Sequence, residues 1–308
     1  MIVVAGESLI DLLVQPDGSV QAVPGGGPYN TARALARLGV PTAFVGRLSE
    51  DRFGRILRER LLEDGVDLRW SRATGDPTLL AIAEIDPSGG AVYRFHAAGS
   101  AAAELTTAAL PETLPQDLSA IHVGTLGLVL EPLASAVETL IGRTPPEALR
   151  FVDLNVRPAA ISDPAAYLAR LERVVGRVHV VKASVDDLSW LDPEVAPEAA
   201  ALRLLGMAAA LVLVTDGPGP VRAISRSGIE LVPVPVVAVV DTVGAGDVFG
   251  AGFLAAWTTA GLGIADLGDV PAVRAATQFA SRVAAAVCAR AGADPPTRDE
   301  LDRLVPAS

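Results

Sequence analysis

The chain of 308 residues has a single cysteine, Cys288, so it can form neither an intramolecular disulfide nor a cysteine-based zinc site. A reducing compartment, the cytoplasm, is the expectation. It also has a single lysine, Lys182, flanked by Val181 and Ala183. A P-loop requires Gly-Lys-Ser/Thr, so any nucleoside triphosphate must be held by another device. The three histidines, His96, His122 and His179, lack metal-ligand spacing. Basic residues are in the minority, 25 against 36 acidic, for a net charge of −11, and no basic run occurs. A nucleic acid is therefore not an expected partner, because a phosphate backbone needs a positive surface. The longest apolar stretches, 204–214 and 249–265, are interrupted by Gly and Thr and fall short of the ~20 residues of a bilayer span, so no membrane partner is expected. Met1 leads straight into Ile2-Val3-Val4-Ala5 and then Glu7 and Asp11, which predicts a strand rather than a signal peptide.

What the chain does have is ample material for a core, 50% hydrophobic residues, arranged in strand–helix alternation. Strands are predicted at 2–5 and 9–14. Strand–helix pairs follow at 121–123 and 133–141, 150–154 and 164–175, and 178–181 and 185–191. Alternation at these lengths predicts an α/β protein with a central, mostly parallel sheet and helices on both faces. Two alternating segments, 78–85 and 91–96, flank the turn-forming Asp86-Pro87-Ser88-Gly89-Gly90 and predict a hairpin. With the second strand they would make a small β lid, from about 9–24 and 78–100, on a single domain spanning 1–308. A second hairpin is predicted at 221–225 and 229–232, and a long final helix at 271–290.

The chain is organised around residues 236–253. A β-branched run at 236–240 predicts a strand, Gly244, Ala245 and Gly246 a turn, and Phe249, Phe253 and Trp257 a helix. Small residues leave the first N–H groups of a helix uncovered, free to converge on an anion such as a phosphate. Asp247 in that first turn suggests a base for a nucleophile attacking phosphorus; the alternative is an acid favoured there by the helix dipole. Earlier, Pro24-Gly25-Gly26-Gly27-Pro28-Tyr29-Asn30 leads into a helix with Arg33 and Arg37 on its outer face. Asn30 is an N-cap candidate, although three glycines also permit close approach of a ligand to the backbone.

Asp241-Thr242-Val243-Gly244-Ala245-Gly246-Asp247, continued by Phe249, Ala251, Gly252 and Phe253, resembles the C-terminal signature of the ribokinase-like (PfkB) carbohydrate kinases. That resemblance implies a ribokinase-like fold, an anion hole at Gly244, Ala245 and Gly246, and Asp247 as catalytic base. The Gly-Gly-x-x-Asn opening of the first helix resembles the family's N-terminal signature, which makes Asp11, Gly26, Gly27 and Asn30 sugar-binding. Asp153-Leu154-Asn155-Val156-Arg157-Pro158 resembles the fructokinase and ketodeoxygluconate kinase branch, with Arg157 a phosphate clamp or else a salt-bridged surface residue. On the lid, Phe95 and His96 would meet the sugar, with a surface role for His96 as the alternative. Arg94 is the lid cation available to an acidic sugar.

For the nucleotide the resemblance implies Ser184, Thr215 and Gly217 together with Gly244 and Gly246. Asp187 would reach Mg²⁺ through water, although Ser184-x-x-Asp187 also reads as a helix capping box. Potassium would use Asp241, Val243 and Gly292. The implied activity is transfer of the γ-phosphate of ATP to a primary hydroxyl, most simply of fructose, with ketodeoxygluconate or ribose as alternatives and a homodimer formed through the lid. A dinucleotide-dependent oxidoreductase is disfavoured because no Gly-x-Gly-x-x-Gly follows the first strand. A sugar-sensing protein on the same fold is disfavoured by Asp247.

Overall fold

A computed structural model describes residues 1–86 and 91–305; the turn predicted at 87–90 lies outside the described residues. In chain order the elements are β1 (Ile2–Ala5), β2 (Leu9–Val14), β3 (Val20–Gly25), α1 (Gly27–Arg37), β4 (Thr42–Val45), β5 (Arg47–Ser49), α2 (Arg52–Glu63), β6 (Arg72–Thr74), β7 (Leu79–Ile85) and β8 (Ala91–His96). The second half holds β9 (Ala120–Gly124), α3 (Leu133–Arg143), β10 (Leu149–Asp153), α4 (Pro164–Val175), β11 (Val180–Ser184), α5 (Val185–Leu191), α6 (Pro197–Met207), β12 (Leu211–Thr215), β13 (Val221–Ser225), β14 (Gly228–Val232), α7 (Ala245–Thr259), α8 (Val270–Cys288) and α9 (Arg298–Leu304).

The main sheet runs β14-β13-β12-β11-β10-β9-β1-β4, parallel from β12 to β4 and antiparallel at β12/β13 and β13/β14. Side chains alternate across it. Ile2, Val4, Phe44 and Phe151 face one core shared with α1, α2, α7 and α8, while Val3, Ala5, Val152 and Val181 face a second core under α3, α4, α5 and α6. Helix α7 is buried along most of its length, and its Gly252 packs so closely on α8 that a Cβ there would stand 2.8 Å from the Ala280 Cα. Phe253 lies between Phe151, tilted against it at a centroid separation of 6.2 Å, and Trp257, stacked on it at 5.4 Å. Burying a ring such as Phe253 stabilises by ~1.5–3 kcal/mol, so this stack anchors α7 and with it the glycine turn at its start. A four-stranded second sheet, β3-β2-β7-β8, forms the expected lid. The parallel strands end on one edge of the main sheet, at Gly124, Asp153, Ser184 and Thr215, where ligands of open α/β sheets bind.

Three local expectations are corrected. Residues 236–240 are not a strand: Pro233 and Pro235 remove ladder donors, and Val240 N–H turns instead to Cys288 O at 2.8 Å. Asn30 is not the N-cap. Gly26 holds that position at φ 106°, and Asn30, inside the first turn, sends its N–H to Gly26 O. Arg33 is not on the outer face but buried, its Nε donating to Asp64 at 2.6 Å, and Arg37 donates to the same carboxylate. Helices α6 and α9 were not anticipated; each carries its own starting signal, Pro at the first turn of α6 and a Thr297–Glu300 capping box in α9.

Candidate active site

The glycine turn enters α7 through Gly244, left-handed at φ 78° and packed so that a Cβ would lie 2.5 Å from the Ala293 Cβ. Only glycine meets both conditions. Ala245 N–H already donates to Thr242 O at 3.2 Å. The next amides, Gly246 and Asp247, stand at a helix start where no intrahelical acceptor exists, so they are available to an anion.

Asp247 is 8% exposed and is gripped from two sides. Asn30 Nδ2 donates to its Oδ2 at 2.9 Å, and Asn155 Nδ2 donates to its Oδ1 at 3.1 Å. Thr31 Oγ1 donates to its main-chain carbonyl at 3.2 Å. Asn155 and Thr125 are the two non-glycine residues with positive φ among those described, 36° and 52°, and they bond to each other, Nδ2 to Oγ1, at 3.1 Å. Such strain persists only where the surroundings hold it, and it concentrates at functional sites. Gly27 lies beneath them. A Cβ there would come 2.3 Å from Thr125 Oγ1 and 3.2 Å from Asp247 Oδ1. Buried Glu7 braces this floor by accepting from Gly27 N–H and Gly127 N–H, both at 3.1 Å. Burial, reinforced by the charge of Asp247, pushes its carboxyl up to about 8.

These groups line one end of a cavity of about 920 Å³ that runs under the lid and along the glycine turn. At this end Asp11 comes from β2, and burial raises its carboxyl to about 6 against the opposing pull of Arg157. Tyr93 and Phe95, stacked at 6.3 Å on β8, overhang it. The other end is apolar, walled by Val221, Val234, Val237, Val239, Ala284 and Cys288. Asp247 stands between a polar compartment and an apolar one, beside a helix N-terminus. The arrangement suits proton removal from a polyhydroxy compound next to a bound anion.

A model of the family described as pfkB family carbohydrate kinase matches residues 1–300. The chain belongs to this family. It is 37% identical over 259 residues to a fructokinase of Rhizobium leguminosarum bv. trifolii, covering 83% of this chain and 79% of that one. A fructokinase of Vibrio alginolyticus is 31% identical over 309 residues, 98% of each chain. Among solved structures, a fructokinase with bound ATP from Xylella fastidiosa superposes at TM-score 0.91 with 29% identity over 99% of this chain and 97% of that one. A fructokinase of Vibrio cholerae O395 in a fructose, ADP and calcium ion bound form superposes at 0.88 with 25% identity over 99% and 98%. This pfkB carbohydrate kinase is thus a phosphotransferase with a ribokinase-like fold.

Of the residues singled out in sequence, the kinase brings Asp11, Gly26, Gly27, Asn30, Phe95 and Arg157 to the cavity. Ser184, Thr215 and Gly217 reach it from the ends of β11 and β12, beside Val243, Gly244, Ala245, Gly246 and Asp247. Five others, His96, Arg94, Asp187, Asp241 and Gly292, lie elsewhere. His96 is on the outer face of the lid, exposed, as strand alternation from Phe95 requires. Arg94 shares that face and pairs with Glu84. Asp187 completes the capping box: its Oδ2 accepts from Ser184 N–H and its Oδ1 from Val156 N–H, both at 2.7 Å, so the carboxylate is committed to backbone. Asp241 ties two loops together, accepting from Val243 N–H at 3.0 Å and Gly292 N–H at 2.8 Å.

Sequence reasoning gave no role to Glu7, Thr125, Asn155 or Lys182, all of which line the cavity. Asn155 sits inside the quoted Asp-x-Asn-x-Arg-Pro string, and Lys182 is the sole lysine; both signals were visible. Nothing local marks Thr125.

Proposed function

We propose that the chain is an ATP-dependent fructokinase that phosphorylates a primary hydroxyl of the ketohexose. The observation that carries this reading is Asp247, held by Asn30 and Asn155 at the junction of the polar and apolar ends of one cavity. Fructose at the polar end is recognised by Asp11, Asn30 and the Gly26–Gly27 backbone, and ATP lies along the glycine turn with its base in the apolar end. Asp247 removes the proton of the attacking hydroxyl while the Gly246 and Asp247 amides stabilise charge on the moving phosphoryl group. The lid, 9–24 and 78–100, closes over the sugar and excludes water as a competing nucleophile, within a single catalytic unit. An acidic sugar fits less well. The carboxyls of Asp11 and Asp247 line its polar end, Arg94 is turned away, and the charge of Arg157, the cation lining that end, already faces Asp11.

Among the described residues no three His, Cys, Asp or Glu side chains converge as a metal site. A divalent ion, Mg²⁺ in this reading, would therefore ride on the nucleotide phosphates rather than in a cage of protein ligands, and would supply charge neutralisation there. Potassium would be held by Asp241 and the Val243 and Gly292 carbonyls, ordering the turn. No helix among the described residues is long and apolar enough to cross a membrane, which is compatible with work in the cytoplasm. The outer face of the lid, with Leu12 and Ile82 in register and Val92 on the same face, is the surface for a homodimer, testable by light scattering.

The deciding experiment compares kcat/KM for fructose, ketodeoxygluconate and ribose by ADP release. Fructose should lead. A ~10-fold advantage for the acid sugar, worth about 1.4 kcal/mol of transition-state binding, would replace fructose with ketodeoxygluconate.

A further inference from the structure

The side chains lining the cavity include two cations, Arg157 and Lys182. Arg157 serves the polar end, where its Nη1 donates to the carbonyls of Asn155 and Val156 at 3.3 and 3.2 Å and its charge faces Asp11. Lys182 stands under the glycine turn. It rises from β11 between the sheet and α7, 3% exposed, and a Cβ on Gly246 would lie 2.9 Å from its Nζ. The ammonium therefore stands beside the turn whose amides are available to an anion.

Its position is set by Asp153, the residue opposite it in the parallel register of β10 and β11, whose two oxygens lie 3.0 and 3.1 Å from Nζ. An ammonium has three donors, and Asp153 cannot take them all in that direction. A buried ion pair adds little to stability for its desolvation cost, so a purely structural Lys–Asp pair here would be a weak device. A compact point charge also suits the narrow space beside Gly246 better than the planar fork of an arginine, the basic residue the chain uses everywhere else. Around Nζ stand Asp153 on β10, Asp187 on α5, Asp247 on α7 and His122 on β9. Burial works against the charge of Lys182, but the three carboxylates more than offset it and raise its pKa. Burial, with the charge of Lys182, keeps His122 neutral, down to about 3.

We propose that Lys182 is a further catalytic residue, contacting the phosphoryl group in transit at the glycine turn, with Asp153 as the positioning residue that aims it. This rests on the kinase reading above. In the step, a bond forms between the sugar oxygen and the γ-phosphorus, the bond from that phosphorus to the ADP oxygen breaks, and the hydroxyl proton passes to Asp247. Lys182 keeps its protons throughout and supplies charge where the equatorial oxygens gather it.

The test uses Lys182→Met, Asp153→Asn and the double variant, which avoids leaving a buried charge unpaired, each checked for fold by circular dichroism. In folded Lys182→Met and in the double variant, kcat should fall on the order of 10²-fold, with KM for the sugar little changed. Asp153→Asn retains the ammonium but removes its main supporting charge. The pKa of Lys182 then falls, and the alkaline limb of the kcat–pH profile should move to lower pH, which a merely structural pair would not do. If neither methionine variant folds, Asp153→Asn decides alone. A double variant with near-normal kcat, or Asp153→Asn with an unmoved alkaline limb, would overturn the proposal. Absence of turnover on every sugar by the unsubstituted enzyme would instead overturn the kinase reading, and this inference with it.

Discussion

At the Asp247 end of the cavity, side chains from β2, α1, α7 and the segments just after β9 and β10 converge, and Asn30, Thr125, Asn155 and Asp247 are joined by hydrogen bonds. At the Val239 end the walls are apolar, and the segment 233–243 that forms one side is largely exposed, with Val239 at 64%. The first end is preorganised: each group fixes the next, so one substitution disturbs several. The second works by dispersed contact, where each side chain adds a little and none is indispensable.

The sharpest way to break the polar end is Asp247→Asn. Turnover should fall ~10²-fold or more, with sugar affinity largely kept, since the amide is nearly isosteric and loses only the base. The unpartnered Asn30 Oδ1 can turn to accept from the new amide. Near-normal turnover on a verified sugar would remove Asp247 from the mechanism. Next in size is Gly27→Ala, whose Cβ meets Thr125 Oγ1 and Asp247 Oδ1. A drop of ~10-fold in kcat/KM for the sugar is expected, with the helix itself intact because alanine favours it.

Glu7 sharpens the comparison through stability. Its carboxyl is raised in the fold from 4.5 to about 8, so the folded protein holds that proton more tightly than the unfolded chain does. Its contribution is whole below about 4.5 and is lost as pH rises through about 8, at up to ~1.4 kcal/mol per pH unit. Urea midpoints measured from pH 5 to 8 should therefore decline more steeply for the unsubstituted protein than for Glu7→Gln, and parallel curves would refute this. A smaller effect is expected from potassium, which should raise turnover over a bulky organic cation at matched ionic strength by ordering the loop that Asp241 ties down. Equal rates would leave Asp241 a purely structural clasp. Smallest of all, Val239→Ala should raise KM for ATP only about twofold, because an exposed valine loses little burial; a loss as large as that of Gly27→Ala would erase the contrast between the two ends.

Local chemistry was enough to reveal much of this protein. Strand–helix alternation predicted the layered sheet because a strand buried on both faces and a helix with one apolar face each carry their period in the sequence. The glycine turn before Asp247 was legible because a left-handed start to a helix leaves a local mark at Gly244. The run at 236–240 misled for the same reason. Its β-branched residues suit a pleated surface, but a strand exists only with a lateral partner, and Pro233 and Pro235 deny it one. Only the tertiary structure decided what meets what. Asn30, Asn155 and Asp247 are separated by more than a hundred and by ninety-two residues, and no local pattern records their convergence on one carboxylate. The same holds for Lys182, which sequence could mark as solitary but not as buried against Asp153 and Gly246. Contacts between strand ends are set by register across the sheet, a property of the packed chain that no window of sequence contains.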